Sequence, residues 1–244
     1  MVLLSDIHGN IEALNAVLEQ ISKLSKHRIV CLGDIVGYGP DPERCLAELR
    51  KRNATIIAGN HDAAVAGELS LDLFSKMARA SAHWTRNQLS EEQRKFLRDL
   101  PRSVKIDPLY GVHGTPQDPM MEYLLNSAQA RQAHDKIDSR LLAVAHTHEP
   151  ALFREDRDDQ FQKITISDDT SISWNPAESR NVVINPGSVG QPRDGDPRAS
   201  FAVVAPNSAE IRWQRIKYPV DTVQRKIFST ELPPALGKRL IHGH

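Results

Sequence analysis

The chain has 244 residues, of which 40% are hydrophobic and 25% charged, a composition typical of globular proteins large enough to bury a substantial core. Lys and Arg together number 31, as do Asp and Glu, and this zero net charge argues against binding to duplex nucleic acid, which needs a basic face. The sequence contains no apolar stretch of the roughly 18 residues that a membrane span needs and no signal-peptide pattern at its start, so we expect a cytoplasmic protein without membrane association.

The first third of the chain alternates predicted strands and helices. Strands are predicted at 2–4, 28–32 and 54–58, and helices at 11–24 and 43–51. The first helix has apolar residues at helical spacing, with Asn10 placed to cap its N-terminus. This alternation indicates βαβ units and a largely parallel sheet.

The remainder changes from helical to mainly extended patterns. A helical region is predicted over 63–100, with a capping box formed by Ser90 and Gln93, and a further helix over 128–137. Strands are predicted at 104–106, 109–112, 141–145, 161–166, 171–174, 180–184, 200–205 and 210–216, the last two forming a hairpin around 206–208. The charged run 154–159 predicts a solvated loop, and two short helices end the chain. No internal repeat or linker interrupts it, so we expect a single domain over 1–244.

The two cysteines also bear on the environment. Cys31 lies in an apolar strand and Cys45 in a helical pattern, which favours buried free thiols over a disulfide and fits a reducing compartment.

Asp, Asn and His side chains follow apolar runs at five places along the chain. They are Asp6, His8, Asp34, Asn60, His61, Asp62, His113, His146 and His148. These residue types are ligands of divalent transition metals, and the carboxyl ends of strands are where open α/β sheets hold their ligands. Each short stretch, taken alone, more often has a structural role than a catalytic one. All of them together, each at a strand end, predict a binuclear metal centre.

The same stretches resemble a known family. Asp-x-His, Gly-Asp, Gly-Asn-His-Asp, His and His-x-His in this order are similar to the calcineurin-like metallophosphoesterase superfamily. The segments 33–40 and 185–193 resemble its small YfcE-like phosphodiesterase branch. The resemblance covers essentially the whole chain. It implies an α/β fold, a four-layer αββα sandwich in which two facing mixed β-sheets are flanked by helices, with the metals at one edge.

The resemblance also implies a role for each site residue. One metal would be held by Asp6, His8, Asp34 and His148, and the second by Asp34, Asn60, His113 and His146, with Asp34 bridging. The nucleophile would be a hydroxide that bridges the two ions. His61 would protonate the leaving oxygen and Asp62 could orient the His61 ring. Two divalent transition-metal ions are expected, with Mn²⁺ as the first choice and Fe, Zn²⁺ or Ni²⁺ also compatible with the ligands.

Three further residues are candidates for substrate contact. Tyr38 could stack on a base or simply pack in its turn, and Arg193 could meet a phosphate or be an exposed charge. Asn10 could donate to a phosphate, although capping of the first helix already explains it.

The function expected is that of a metal-dependent phosphoesterase acting on a small phosphoester, which could be nucleotide-like, and on diesters more than monoesters. A protein phosphatase and a dinucleoside tetraphosphatase could use the same centre. A non-catalytic scaffold is the alternative from another class, since a retromer subunit uses this fold for protein binding. A scaffold should have lost a ligand or His61, and this sequence has all of them.

Overall fold

The computed structural model describes residues 1–25, 27–174, 180–205 and 209–244. The strands described are β1 (Val2–Leu4), β2 (Ile29–Cys31), β3 (Thr55–Ile56), β4 (Ser103–Ile106), β5 (Leu109–Val112), β6 (Leu141–Ala143), β7 (Ala151–Glu155), β8 (Phe161–Thr165), β9 (Thr170–Ser173), β10 (Val182–Asn185), β11 (Ala199–Ala205) and β12 (Glu210–Ile216). The helices are α1 (Ile11–Ser22), α2 (Pro42–Lys51), α3 (Asn60–Ala66), α4 (Lys76–Gln88), α5 (Glu91–Arg98), α6 (Ser127–His134), α7 (Val220–Phe228) and α8 (Pro234–Arg239), and a 3₁₀ turn covers Leu71–Leu73.

The strands form two mixed sheets of six. The first sheet has the order β3-β2-β1-β11-β12-β9 and the second the order β4-β5-β6-β10-β7-β8. In the first sheet β1, β2 and β3 are parallel and are joined through α1 and α2. Val2, Leu3 and Leu4 are all fully buried, because a parallel strand at the centre of such a sheet is covered on both faces.

The two sheets face each other across an apolar layer. Leu3 and Val30 of the first sheet meet Leu141, Val182 and other residues of the second there. Helices α1, α2 and α7 pack on the outer face of the first sheet, and α6 packs on the outer face of the second. The predicted four-layer αββα sandwich is therefore confirmed.

The structure differs from the predicted elements at β7, a strand that was not predicted, and in the helical region 63–100. Part of the charged run expected to form a loop belongs to β7, where Arg154 pairs with Val182 of β10 and Glu155 with Phe161 of β8. Main-chain pairing on both sides extends the strand into charged residues. The helical region 63–100 is divided into α3, the 3₁₀ turn, α4 and α5. The Ser90–Gln93 capping box of α5 and the pairing of β11 with β12 are confirmed, whereas the predicted turn at 206–208 lies outside the described residues.

Two further expectations concern the chain as a whole. Cys31 and Cys45 are free and buried, as predicted. Within the described part of the chain, every helix is too short or too polar to cross a membrane.

Candidate metal centre

The predicted ligands meet at one edge of the sandwich because five strands end there. Asp6 and His8 follow β1, Asp34 follows β2, and Asn60 begins α3 just after β3. From the second sheet, His113 follows β5, and His146 and His148 follow β6. These side chains are all at most 5% exposed. Residues up to 142 positions apart in sequence are thus gathered into one buried cluster.

The backbone at these strand ends turns sharply. Asp6, His8, Asp34, His146 and His148 have φ values between 49° and 68°, the left-handed region, which costs a non-glycine residue roughly 1–2 kcal/mol. Hydrogen bonds hold the conformation, since Asp6 N–H donates to Gly33 O (3.1 Å) and His8 N–H to Asp34 O (2.9 Å). The convergence of Asp6 and His8 therefore comes from a strained turn beyond β1 and not from strand alternation. Strain of this kind is characteristic of functional sites.

One group of ligand atoms comprises Asp6, His8, Asp34 and His148. His8 Nε2 and His148 Nε2 are 3.2 Å apart, and His148 Nε2 lies 3.4 Å from Asp6 Oδ1. The opposite ring nitrogens face carbonyl oxygens, His8 Nδ1 facing Val36 O (3.1 Å) and His148 Nδ1 facing Gln191 O (2.6 Å). Because a carbonyl only accepts, each Nδ1 carries the proton and each Nε2 presents its lone pair. Two lone pairs and a carboxylate thus point at a common position, an arrangement that a cation stabilises.

The second group comprises Asp34, His113 and His146, with Asn60 beside them. His113 Nε2 lies 3.2 Å from Asn60 Oδ1 and 3.2 Å from His146 Nδ1. His113 Nδ1 donates to Leu32 O (2.8 Å), which leaves Nε2 free to act as a ligand.

Asp34 joins the two groups. Its Oδ1 accepts the His61 backbone N–H at 2.9 Å. Its Oδ2 has no hydrogen-bond partner and lies 3.6 Å from His8 Nε2 and 3.5 Å from His113 Nε2. A carboxylate oxygen placed between two imidazole lone pairs has the geometry of a bridging ligand. Gly59 makes this approach feasible, since a Cβ there would lie 2.1 Å from Asp34 Oδ1.

Burial makes the cluster unfavourable for charge. It raises the pKa of Asp6 to about 7 and that of Asp34 well above its usual range. It lowers the pKa of His146 to about 2, and those of His8 and His148 well below normal. Both Asp6 oxygens and Asp34 Oδ2 are buried without hydrogen-bond partners. Unpaired buried carboxylate oxygens are costly unless a cation binds them, so the residues fit two divalent ions with imidazole, carboxylate and amide ligands.

Comparison with known proteins identifies the family of the chain. The model of the calcineurin-like phosphoesterase superfamily domain matches residues 1–209. The chain belongs to the calcineurin-like phosphoesterase superfamily. The resemblance drawn from the sequence motifs is thereby confirmed, and the buried Asp and His cluster is compatible with a metal site.

Individual relatives cover the whole chain. An uncharacterized protein of Methanocaldococcus jannaschii is 36% identical over 100% of this chain and 98% of its own length. A metallophosphoesterase from Sphaerobacter thermophilus, known from a crystal structure, is also 36% identical to this chain. The match covers 100% of this chain and 99% of that protein's chain, and the two structures superpose with a TM-score of 0.88. A hypothetical protein from Pyrococcus horikoshii shares the fold, with a TM-score of 0.82 and 24% sequence identity. The match covers 100% of this chain and 98% of that protein's chain.

His61 lies beside the predicted ligands in the first turn of α3. Its ring contacts the rings of His8, Tyr38 and Phe74, with centroids 5.0, 4.4 and 5.3 Å away. Burial, with a smaller contribution from Arg193, lowers the pKa of His61 to about 3. The ring is therefore neutral near pH 7.

Asp62 does not orient the His61 ring, contrary to the prediction. Its Oδ1 accepts the N–H groups of Ile35 (3.0 Å) and Val36 (3.2 Å), and its Oδ2 accepts that of Gly59 (3.1 Å). His61 Nδ1 is buried without a partner. Asp62 therefore fastens the loop after Asp34 to the start of α3, a structural role that the adjacent sequence position could not reveal.

The three predicted substrate contacts separate into two kinds. Tyr38 and Arg193 line a cavity of about 210 Å³ above the ligands, and the Arg193 guanidinium lies 6.0 Å from the Tyr38 ring. Asn10 instead accepts the Ala13 N–H (3.1 Å) and donates to Gly190 O (2.9 Å). Its amide is used for capping α1 and holding the loop at Gly190, and Asn10 does not line this cavity.

Sequence reasoning missed several side chains around the cavity. Leu73, Phe74 and Met121 form apolar parts of its wall, and the Tyr123 ring stacks on His146 at 4.0 Å with an interplanar angle of 12°. No motif marks these residues. In the sequence, the only indication of their role is that each is an apolar or aromatic residue in a segment that follows a predicted site residue.

The segment 185–193 braces the ligand turns. Asn185 Nδ2 donates to Ala145 O (3.0 Å), Ser188 Oγ donates to Asp6 O (2.7 Å), and the Gly190 N–H donates to Asp6 O (2.9 Å). This segment carried part of the family resemblance without containing a ligand, and its physical role is to hold turns from both sheets in position.

Proposed function

We propose that this protein is a metal-dependent phosphodiesterase that holds two divalent ions and hydrolyses small phosphoesters. The observation that carries the proposal is Asp34 Oδ2, unpartnered and 3.5–3.6 Å from one imidazole nitrogen of each ligand group. Asp6, His8 and His148 would complete one site, and Asn60, His113 and His146 the other. The mixture of imidazole, carboxylate and amide ligands suits Mn²⁺ first, and Fe, Zn²⁺ or Ni²⁺ as well.

When bound, a pair of such ions supplies an activated water and neutralises charge on the phosphoryl oxygens. The chain's own residues orient the substrate. Arg193 is the cationic side chain that lines the cavity, and its Nε is buried without a partner. A phosphate oxygen can satisfy this donor, because guanidinium groups bind phosphate through several N–H groups at once.

His61 is the residue we assign to the leaving group. It lines the cavity together with Asp34, and burial, with the nearby Arg193, lowers its pKa to about 3. A phosphoryl group next to the ring raises that pKa, since a negative charge favours the imidazolium form. His61 then gives a proton or a hydrogen bond to the departing oxygen.

Other functions are weaker on the same observations. The seven predicted ligands and His61, which the family pattern requires, are all present and lie together. A non-catalytic scaffold would have no need for a buried Asp34 Oδ2 without a hydrogen-bond partner. Protein phosphatase and dinucleoside tetraphosphatase activities use similar chemistry, and a substrate panel separates them. The cytoplasmic location and the small phosphoester partner expected from the sequence stay predictions.

The test is hydrolysis by Mn²⁺-loaded protein of bis-p-nitrophenyl phosphate, p-nitrophenyl phosphate, a nucleotide panel and a phosphopeptide. We expect turnover of the diester above that of the monoester. His61→Ala should lower kcat by about 10²–10⁴-fold, the contribution of a general acid, with both ions still bound. His83→Ala, which alters an exposed histidine on α4, is the matched control. Absence of turnover on every ester by protein that binds two ions would contradict the proposal.

A further inference from the structure

We propose that Tyr123 is a stacking platform that selects phosphodiesters carrying a flat ring, such as an aryl group or a nucleobase. The ring belongs to the retained group, which is the ester group that stays on the phosphate after hydrolysis. This inference rests on the proposed function and specifies its substrate class. It moves the stacking role that the sequence suggested for Tyr38 to a different residue.

Tyr38 is unsuited to that role because its ring is already enclosed. Only 9% of Tyr38 is exposed, and its ring contacts His8, His61 and the Arg193 guanidinium. A base could not lie flat on it without displacing one of these neighbours. Tyr38 therefore forms part of the cavity wall and supports the catalytic histidine.

Tyr123 has the opposite character. It lines the same cavity and is 42% exposed, although large aromatic residues are usually well covered. One face of its ring stacks on His146, and among the described residues the ring has no other aromatic contact. Part of Tyr123 is therefore accessible at the cavity, next to the predicted ligand His146. Base or aryl stacking on such a tyrosine is an established way to bind a ring without reading its edges.

The loop that carries Tyr123 holds the ring in place. Gln129 Nε2 donates to Tyr123 O (3.1 Å), and the Gly114 N–H donates to Pro119 O (2.8 Å), closing the loop that follows His113. A platform fixed before the substrate arrives loses little entropy on binding. The position of the ring is therefore part of the folded site.

The size of the cavity requires a surface outside it. About 210 Å³ is below the roughly 300–1,000 Å³ of pockets that enclose a whole organic ligand. A phosphoryl group at the ligand cluster must consequently extend its organic group past the opening. Five large apolar side chains are exposed in the described part of the chain, and two of them, Leu73 and Tyr123, lie at this cavity.

The two apolar residues face different parts of the substrate. Leu73 adjoins Phe74, whose ring packs on His61, so the leaving group passes on that side. Tyr123 instead stacks on His146, one of the residues that would hold the second ion, and we assign the retained group to that side. Stacking on Tyr123 therefore distinguishes substrates by the retained group and leaves the departing one unconstrained.

The experiment uses three diesters with one leaving group, p-nitrophenol, and a phenyl, cyclohexyl or methyl group as the retained part. The cyclohexyl group has similar apolar area without a flat face, so it separates stacking from general hydrophobicity. We expect the wild-type protein to prefer phenyl over both others in kcat/KM. Tyr123→Ala should lower kcat/KM for the phenyl ester roughly 5- to 150-fold more than for the methyl ester, the range that one stacked ring contributes, and Tyr123→Phe should retain the preference.

Two controls keep the result specific. Metal content of each variant shows whether His146 still binds its ion once Tyr123 is changed. Leu125→Ala alters another exposed apolar residue, 52% accessible and outside the cavity, and should leave all three rates unchanged. An unchanged phenyl-to-methyl ratio in Tyr123→Ala with two ions bound would overturn the platform while the phosphodiesterase stands. Wild-type protein inactive on all three esters would instead reject the proposed function, and the platform with it.

Discussion

Replacing Asp6 with asparagine should stabilise the metal-free protein at alkaline pH and at the same time impair metal binding. The Asp6 carboxylate is fully buried, neither of its oxygens has a hydrogen-bond partner, and burial raises its pKa to about 7. Without a metal, ionisation of this group opposes folding. With a metal, the same charge becomes a ligand, so one substitution should act in opposite directions in the two states.

The magnitude follows from the pKa difference between the folded and unfolded states. Because the folded-state pKa of Asp6 is about 7 and the unfolded value about 3.8, the folded protein holds the proton more tightly. Its contribution to stability is complete below pH 3.8 and is lost as the pH rises towards 7. At about 1.4 kcal/mol per pKa unit, the wild-type protein should lose about 3 kcal/mol between pH 5 and pH 8 that Asp6→Asn does not lose.

The assay is urea unfolding of chelator-treated wild-type and Asp6→Asn protein at pH 5, 6, 7 and 8. Comparing the two proteins at each pH cancels the titration of all other groups, and a constant denaturant slope shows that only stability has changed. We expect the difference in free energy of unfolding to move in favour of the variant as the pH rises. A difference that is the same at pH 5 and pH 8 would refute the reasoning, as would undiminished Mn²⁺ affinity of the variant at pH 8.

Three further predictions test other parts of the site. Asp62→Ala leaves three buried N–H groups without their acceptor and should lower the free energy of unfolding by about 2–5 kcal/mol. Asp62→Asn should be less destabilised. Urea midpoints equal to that of the wild type in both variants would show that these hydrogen bonds contribute nothing to stability. Gly37→Ala places a Cβ 2.6 Å from His61 Nδ1 at a φ of +85°, so kcat should fall at least about tenfold while bound metal, measured by mass spectrometry, stays at two ions. Chelation should lower the melting temperature more at pH 8 than at pH 6, because protons compete with the metal for Asp6, whose pKa is about 7, at the lower pH. An equal shift at both pH values would argue against Asp6 as a ligand.

The arrangement of the ligands was predictable because the chemistry of each residue type and its place after a strand are local properties. Asp34 follows a buried apolar strand and a glycine, and His146 and His148 follow another. Parallel strands bring such positions to one edge of a sheet. The metal-binding chemistry of the residues then limits what such a cluster can bind.

Roles that depend on contacts between distant segments were beyond the sequence. Asp62 follows His61 directly, yet its side chain points to Ile35 and Val36 and not to the imidazole. The sequence left open whether Tyr38 stacks on a base or packs in its turn, and only the structure shows that neighbouring rings enclose it. Adjacency in sequence says little about side-chain direction where the backbone changes course.

The sequence by itself predicted the residues of a binuclear metal centre, because metal-binding chemistry and position after a strand are carried by individual residues. Its motifs resemble the phosphoesterase superfamily, and that resemblance implied the αββα architecture that the structure confirms. Only the tertiary structure decided that Asp34 has one free oxygen between two imidazoles, that Asn10 and Asp62 hold the backbone, and that Tyr123 lies open beside His146. These properties depend on the direction of side chains at strained turns where two sheets meet, and no single segment of the chain contains that information.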